Sequence, residues 1–328
     1  MPTNLLPEYY KIEERFREAK TNEEKIELLE AMIRVVPKHK GTDHLRADLR
    51  RKLSKLKDAS EARKKTSRQS SVFHIDKEGA GQVAVVGLAN TGKSALVAAV
   101  TNATPEVASF PFTTWQPTPG MMPIEDIQVQ LIDTPALDRE FLEPELLDLL
   151  RRVDMILILV DLQDFPNDQL ESTAATLIEN RIVPIDRLEQ YPDDQRWYAK
   201  PFLVVVNKCD DETQLEDFQV FCELLEGNWD CIPISAASGL GIDVLKQSIF
   251  DRLNIIRVFS KAPGREADMH APFVLESGTT VEEFSGKVHK DFAVNLKSAR
   301  IWGSADFDGQ MVSRDHILKD GDIVELKM

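Results

Sequence analysis

The sequence predicts three pieces in chain order: a helical N-terminal region, a doubly wound α/β domain and a small α+β domain. Three observations carry this reading. From residue 83 onward, short Val/Ile/Leu runs at 83–86, 129–132, 155–160, 202–206 and 231–234 alternate with helical patterns. Near-continuous apolar runs separated by helices mark a parallel sheet covered on both faces. Residues 9–36 and 45–56 instead repeat apolar residues at helical spacing, and residues 272–328 hold a strand, one helix and several further short strands. A length of 328 residues suits two folded domains at about 150 residues each.

In the first helical segment Ile26, Leu29, Ile33 and Val36 share a face, with Asn22 placed to cap it. Pro37 and Gly41 break the pattern, and Leu45, Leu49, Leu53 and Leu56 resume it. The N-terminal region is expected over 1–63, a linker over 64–82, the α/β domain over 83–260 and a second linker over 261–271. The final domain, 272–328, opens with a strand at 272–276 and a turn at Ser277 and Gly278. Thr280 with Glu283 makes a capping box for a helix to about residue 292. Strands near 300–302, 310–312 and 322–327 follow.

The net charge of −15 excludes a uniformly basic nucleic-acid binder, but it is unevenly spread. Residues 44–68 hold ten Lys/Arg against three acidic residues, a balance of +7 against −22 for the remainder. That stretch is either a solvated helix face running into a linker or a contact for an RNA backbone. The longest strongly apolar stretch, 153–162, is interrupted by Asp154 and Asp161 and is too short for a bilayer. Residues 1–15 have no apolar core of the leader kind, and Cys209, Cys222 and Cys231 form no C-x-x-C pair. A reducing cytoplasm, with no membrane partner, is the expected setting.

The strongest chemical signal is Gly87-Leu88-Ala89-Asn90-Thr91-Gly92-Lys93-Ser94, which satisfies G-x-x-x-x-G-K-[ST] between a strand and a helix opening at Ala95. Glycines let backbone N–H groups curl around phosphate oxygens, and the helix N-terminus favours the same charge. Lys93 is placed for the β- and γ-phosphates and the Ser94 hydroxyl for Mg²⁺. The expected nucleotide contacts of this loop are Gly87, Asn90, Thr91, Gly92, Lys93, Ser94 and Ala95. Asp133, closing the strand 129–132, is placed for the Mg²⁺ shell. Two hydroxyls, Thr113 and Thr114, lie in a Pro-bracketed loop before it, and one is suited to join that shell as a switch. Asn207, Lys208 and Asp210 follow the strand 202–206. A carboxylate there can accept from guanine N1–H and the 2-amino group, a donor pair that adenine lacks. Ser235 and Ala236 are small enough for backbone N–H groups to approach the guanine O6.

In order and spacing these motifs resemble the translation-factor-class GTPases, and most closely the developmentally regulated GTP-binding protein family of the Obg branch. The C-terminal stretch is similar to a TGS domain, a β-grasp module shared with threonyl-tRNA synthetases and stringent-response synthetases. Its carriers are Gly278-Thr279-Thr280-Val281, the run from Val288 to Phe292, Ala299-Arg300-Ile301-Trp302-Gly303 and the run from Asp320 to Glu325. The resemblance covers residues 41–328. It implies slow hydrolysis of GTP to GDP and phosphate, with Thr114 as Mg²⁺ ligand and Thr113 as a nucleotide contact. It also implies action on the ribosome or RNA through the basic N-terminal helix and the TGS domain. The oligomeric state is left open.

The chain departs from that family at two places, at Ala136 and in the stretch 136–153. Ala136 stands where the family has a glycine whose N–H meets the γ-phosphate, and an alanine serves only where φ stays negative. Leu137 stands where small GTPases carry a water-positioning Gln; an apolar residue here is usual for the resembled branch, so hydrolysis must be oriented otherwise. Asn90 either helps to hold K⁺ as a catalytic cation, as in some GTPases of this class, or only caps its own loop. The stretch 136–153 is too short for the extra domain that the family inserts there, so that insert's partner contacts do not carry over. Ala136 and Leu137 motivate the alternative of a nucleotide-binding adaptor with negligible hydrolysis. An ATPase reading is weaker, because the Obg-like ATPases depart from Asn-Lys-x-Asp and Asp210 keeps it.

Overall fold

The structure is a computed structural model. It describes residues 12, 15–16, 22–36, 49–53, 73–101, 116–139 and 141–327. The chain forms two units, Met1–His74 and Ile75–Met328. In the first, α1 (Asn22–Val35) buries Leu29 and Met32, which with Val36 pack in one cluster with Leu49 and Leu53 of a second helical stretch. The apolar spacing of the sequence is the reason: residues three and four apart meet on one face. Arg50, Arg51 and Lys52 are exposed beside that stretch, and the remainder of the basic segment lies outside the described residues.

In the second unit residues 79–81 already pair along the third strand, just ahead of β1 (Gln82–Val86). The following elements are α2 (Lys93–Val100), β2 (Thr118–Ile124), β3 (Ile127–Asp133), α3 (Pro144–Arg152) and β4 (Met155–Asp161). Then come α4 (Pro166–Glu179), the short pair β5 (Ile182–Pro184) and β6 (Tyr198–Lys200), β7 (Phe202–Asn207), α5 (Glu212–Leu224), β8 (Cys231–Pro233) and α6 (Ile242–Leu253). The strand order is β2-β3-β1-β4-β7-β8. All neighbours from β3 to β8 are parallel, and β1, β4 and β7 are buried along their whole length. One face, with Val83, Val85, Leu131, Leu157 and Val205, packs on Leu96 and Val97 of α2 and on Leu245 and Ile249 of α6. Residues 141–143 lead directly into α3, so no extra domain intervenes there.

The sheet is mixed rather than wholly parallel, because β2 joins the edge antiparallel to β3. Its sequence, TPGMMPI, hides it: two prolines and a glycine mask a strand in the sequence, and an edge is where a sheet tolerates prolines. Among the described residues no helix is long and apolar enough to cross a membrane.

The C-terminal sheet has the order β10-β9-β13-β11-β12, built from β9 (Ile255–Ser260), β10 (Phe273–Glu276), β11 (Ser298–Trp302), β12 (Gln310–Val312) and β13 (Asp322–Lys327). Only β9 and β13 pair in parallel. The strand β9 falls within 83–260, the stretch expected to be α/β domain, yet it hydrogen-bonds in this sheet. The reason is its pattern: Ile256 and Val258 face the small domain's core while Ile255 packs against the larger one. The helix expected to about residue 292 is two helices, α7 (Val281–Val288) and α8 (Lys290–Asn295), broken at His289 in extended backbone (φ −165°). The Thr280–Glu283 capping box is present, with Glu283 Oε2 accepting the Thr280 N–H at 2.9 Å. Phe284 of α7 is fully buried and meets Phe273 edge-on at 5.4 Å. Buried Asp322 accepts from Ser304 N, Ser304 Oγ and Lys319 N, which ties the β11–β12 connection to the turn that enters β13.

Arg257 on β9 ties the small domain to the larger one. Its guanidinium donates to both Asp320 oxygens, at 3.0 and 2.7 Å, to Asp126 at 2.9 Å and to Glu125, and it lies 4.9 Å from the Phe250 ring centroid. Glu125 and Asp126 form the tip of the β2–β3 hairpin. At 17% exposure the Arg257 side chain is largely out of water, where such bonds are strongest. Burial disfavours ionisation of Asp320, but the bonds and charge of Arg257 outweigh it and hold the carboxyl below its ordinary value of 3.8. Replacing Arg257 by Met leaves three carboxylates without their cation, with an expected loss of about 2 kcal/mol in urea denaturation at pH 7. A carboxyl depressed in the folded state stabilises above its unfolded value and ceases to do so as pH falls through the folded one. The deficit of the variant should therefore shrink below about pH 4; equal stability of the two proteins at pH 7 would overturn the assignment.

Candidate functional site

All the candidate residues that the structure describes lie at or just beyond the C-terminal ends of the parallel strands. In open α/β sheets a crevice forms there, where the strand order reverses, and here the reversal is at β1. The loop 87–92 follows β1, Asp133 ends β3, Asp161 ends β4, Asn207 ends β7 and Ser235 follows β8.

The loop is shaped by its glycines. Gly92 has φ +95°, and a Cβ there would lie 2.3 Å from Asn207 Nδ2. Gly87 has φ +153°, and a Cβ would lie 2.3 Å from the Leu159 carbonyl oxygen. Asn90 is itself left-handed at φ 64°, a conformation Asn tolerates better than most. The Lys93 ammonium lies back along the loop, donating to Leu88 O at 2.6 Å and Gly87 O at 3.2 Å. Burial lowers its pKa to about 8, against the pull of Asp133 and Asp138. Thr91 Oγ1 closes the turn on Leu88 O at 3.2 Å. Ala95 follows Ser94 in the first turn of α2, whose backbone N–H groups open the helix toward the loop.

The Ser94 hydroxyl donates to Asp133 Oδ2 at 2.6 Å. This pairing of a hydroxyl with a fully buried carboxylate is an oxygen donor set that fits Mg²⁺, which takes few protein ligands and completes its shell with phosphate and water. Consistent with that economy, no group of three or more His, Cys, Asp or Glu among the described residues is arranged to hold a metal on its own. Thr134 Oγ1 donates to Val85 O at 2.7 Å and anchors the start of the next segment on β1. Ala136 and Leu137 are buried, and Leu137 N–H donates to Gly87 O at 3.2 Å. Thr113 and Thr114 lie outside the described residues.

Asn207 joins three loops. Its Nδ2 donates to Thr91 O at 3.0 Å and its Oδ1 accepts the Ala236 N–H at 3.0 Å. The Ala236 amide, expected to be free for a guanine O6, is thus turned to Asn207 instead. Asp210 accepts from the Ser235 hydroxyl, which orients its carboxylate. The backbone of Asp210 and Asp211 is fixed by Gln214, whose Oε1 accepts both N–H groups in the capping box of α5. Lys208 is left-handed at φ 67°, and its ammonium is paired with Asp161. Asp161 is a site residue that the sequence reading passes over. It stands opposite Asn207 in the β4–β7 register, and its Oδ1 also accepts the Gln163 N–H at 3.0 Å. The available signal was a second Asp at a strand end, parallel to Asp133.

Comparison with known proteins accords with this geometry. The family described as 50S ribosome-binding GTPase matches residues 82–208, and the TGS domain family matches 256–328. An uncharacterized GTP-binding protein of Methanocaldococcus jannaschii is 31% identical over 93% of this chain and 92% of its own. Developmentally-regulated GTP-binding protein 1 of Xenopus laevis is 25% identical over 77% of this chain and 84% of its own. The fold matches that of the Schizosaccharomyces pombe YchF GTPase with a TM-score of 0.52 and 15% identity, covering 77% of this chain and all of that one. With a phosphate loop, a base-side loop joined to it by Asn207 and a C-terminal β-grasp sheet, the chain belongs to the developmentally regulated GTP-binding protein family, as a GTP-binding protein with a C-terminal TGS domain.

Proposed function

We propose that this GTP-binding protein hydrolyses GTP to GDP and phosphate slowly and acts as a nucleotide-dependent switch on the ribosome or RNA, in the cytoplasm. The observation that carries the reading is the Asn207 bridge, because it holds the phosphate loop and the base-side loops at one fixed separation. In this reading Gly87, Asn90, Thr91, Gly92, Lys93, Ser94 and Ala95 hold the phosphates, and Asn207, Lys208, Asp210, Ser235 and Ala236 frame the guanine. Ser94, Asp133 and Thr114 would hold Mg²⁺, which would supply charge neutralisation for the phosphates. Lys93, already buried beside the loop carbonyls, adds a second cation without further desolvation. Thr113 and Ala136 complete the nucleotide contacts. The exposed Arg50, Arg51 and Lys52 support an RNA contact from the N-terminal region, and the TGS domain is the second candidate.

Asp210→Asn tests the base assignment. It should weaken GTP binding about a hundredfold and favour XTP, read by competition against a fluorescent guanine nucleotide. Unchanged GTP affinity would sink the base-side assignment.

A second reading, an adaptor with negligible hydrolysis, is favoured by one observation. Leu137 is buried at 3% exposure with its N–H on Gly87 O, so the position offers no side chain to orient water. Phosphate release in KCl and in NaCl, with and without ribosomes, separates the two. Turnover raised several-fold by K⁺ supports the enzyme and a catalytic part for Asn90, whose left-handed backbone turns it out of the helical path. No turnover in either salt leaves the adaptor.

A further inference from the structure

The phosphate loop and the segment after β3 touch at a second point beyond Leu137. Asp138 Oδ2 accepts the Ala89 N–H at 3.3 Å. Ala89 is the third residue of the loop, whose amides form a concavity suited to anions. A carboxylate on that amide is an anion already seated in an anion site. Its charge also reaches Lys93, where Asp138 and Asp133 favour the ammonium while Arg139 opposes it. The neighbours are held differently: Ala136 and Leu137 are buried, whereas Asp138 is exposed. Its side chain can therefore leave the loop without unpacking the core.

We propose that Asp138 is a specificity-determining residue that distinguishes the nucleotides by their terminal phosphate, its carboxylate resting on the Ala89 amide until a third phosphate displaces it. The inference rests on the GTP-binding reading of the same loop. A diphosphate ends within the reach of the loop amides and Lys93. A third phosphate would add charge on the side of the loop where Ser94 and Asp133 would hold Mg²⁺, next to the segment after β3. The triphosphate therefore meets the field of the Asp138 carboxylate at short range, and the diphosphate does not. The chain accordingly favours GDP.

The test is equilibrium binding of fluorescent GDP and of a non-hydrolysable GTP analogue to the full chain with Mg²⁺, for the unmodified protein, Asp138→Asn and Asp138→Ala. Both variants should shift the ratio of the two affinities about tenfold toward the triphosphate, with GDP binding nearly unchanged. Asn keeps an acceptor for the Ala89 amide. A merely structural contact would thus leave the ratio constant in Asn and weaken both nucleotides together in Ala. Either of those results overturns the proposal. Failure of the unmodified chain to bind any guanine nucleotide overturns the GTP reading and this inference with it. Binding of both nucleotides with an unmoved ratio overturns the role of Asp138 alone.

Discussion

The site depends on one side chain, Asn207. It donates to the phosphate loop at Thr91 and accepts from the loop after β8 at Ala236, so three strand ends share one buried amide. An amide side chain is suited to this because it offers a donor and an acceptor in one plane. The close approach also explains the second glycine of the loop. Any side chain at Gly92 would occupy the space of Asn207 Nδ2, quite apart from the left-handed backbone. Phosphate-loop glycine and base-loop asparagine, 115 positions apart in the chain, are thus a single packing constraint. Each is costly to change while the other remains.

Most of the fold was legible because its physics is local. Buried parallel strands show as apolar runs, and β1, β3, β4, β7 and β8 all lie where such runs occur. The Thr280–Glu283 box was readable because both partners lie within one turn. Among the features that escaped, two did so for reasons of long range. The strand β2 carries Pro119 and Pro123 and takes its pairing from β3, so no pattern of its own announces it. The strand β9 reads as an ending of the larger domain, and only its partners β10 and β13, far along the chain, assign it to the small one. The site was legible as motifs but not as contacts. Lys208 pairing with Asp161, and Ala236 turning to Asn207, are facts of register between strands.

The same distinction separates charge from location. A net charge of −15 gave no hint of a loop of backbone amides around one buried lysine, beside a hydroxyl–carboxylate pair. Such a site draws its positive potential from aligned dipoles, so it makes little demand on the sum of side-chain charges. The acidic balance can therefore coexist with an anionic ligand, while a local excess of positive charge, +7, sits in residues 44–68.

The β2–β3 hairpin has a mechanical position that its size conceals. Its base starts at Thr118 and ends in Asp133, while its tip, Glu125 and Asp126, is gripped by Arg257 of the C-terminal sheet. A ribbon fastened at the tip cannot slip by one residue along its neighbour without breaking two ion pairs and turning its buried face outward. Through one guanidinium, the small domain is thereby fastened to the ribbon whose far end carries Asp133.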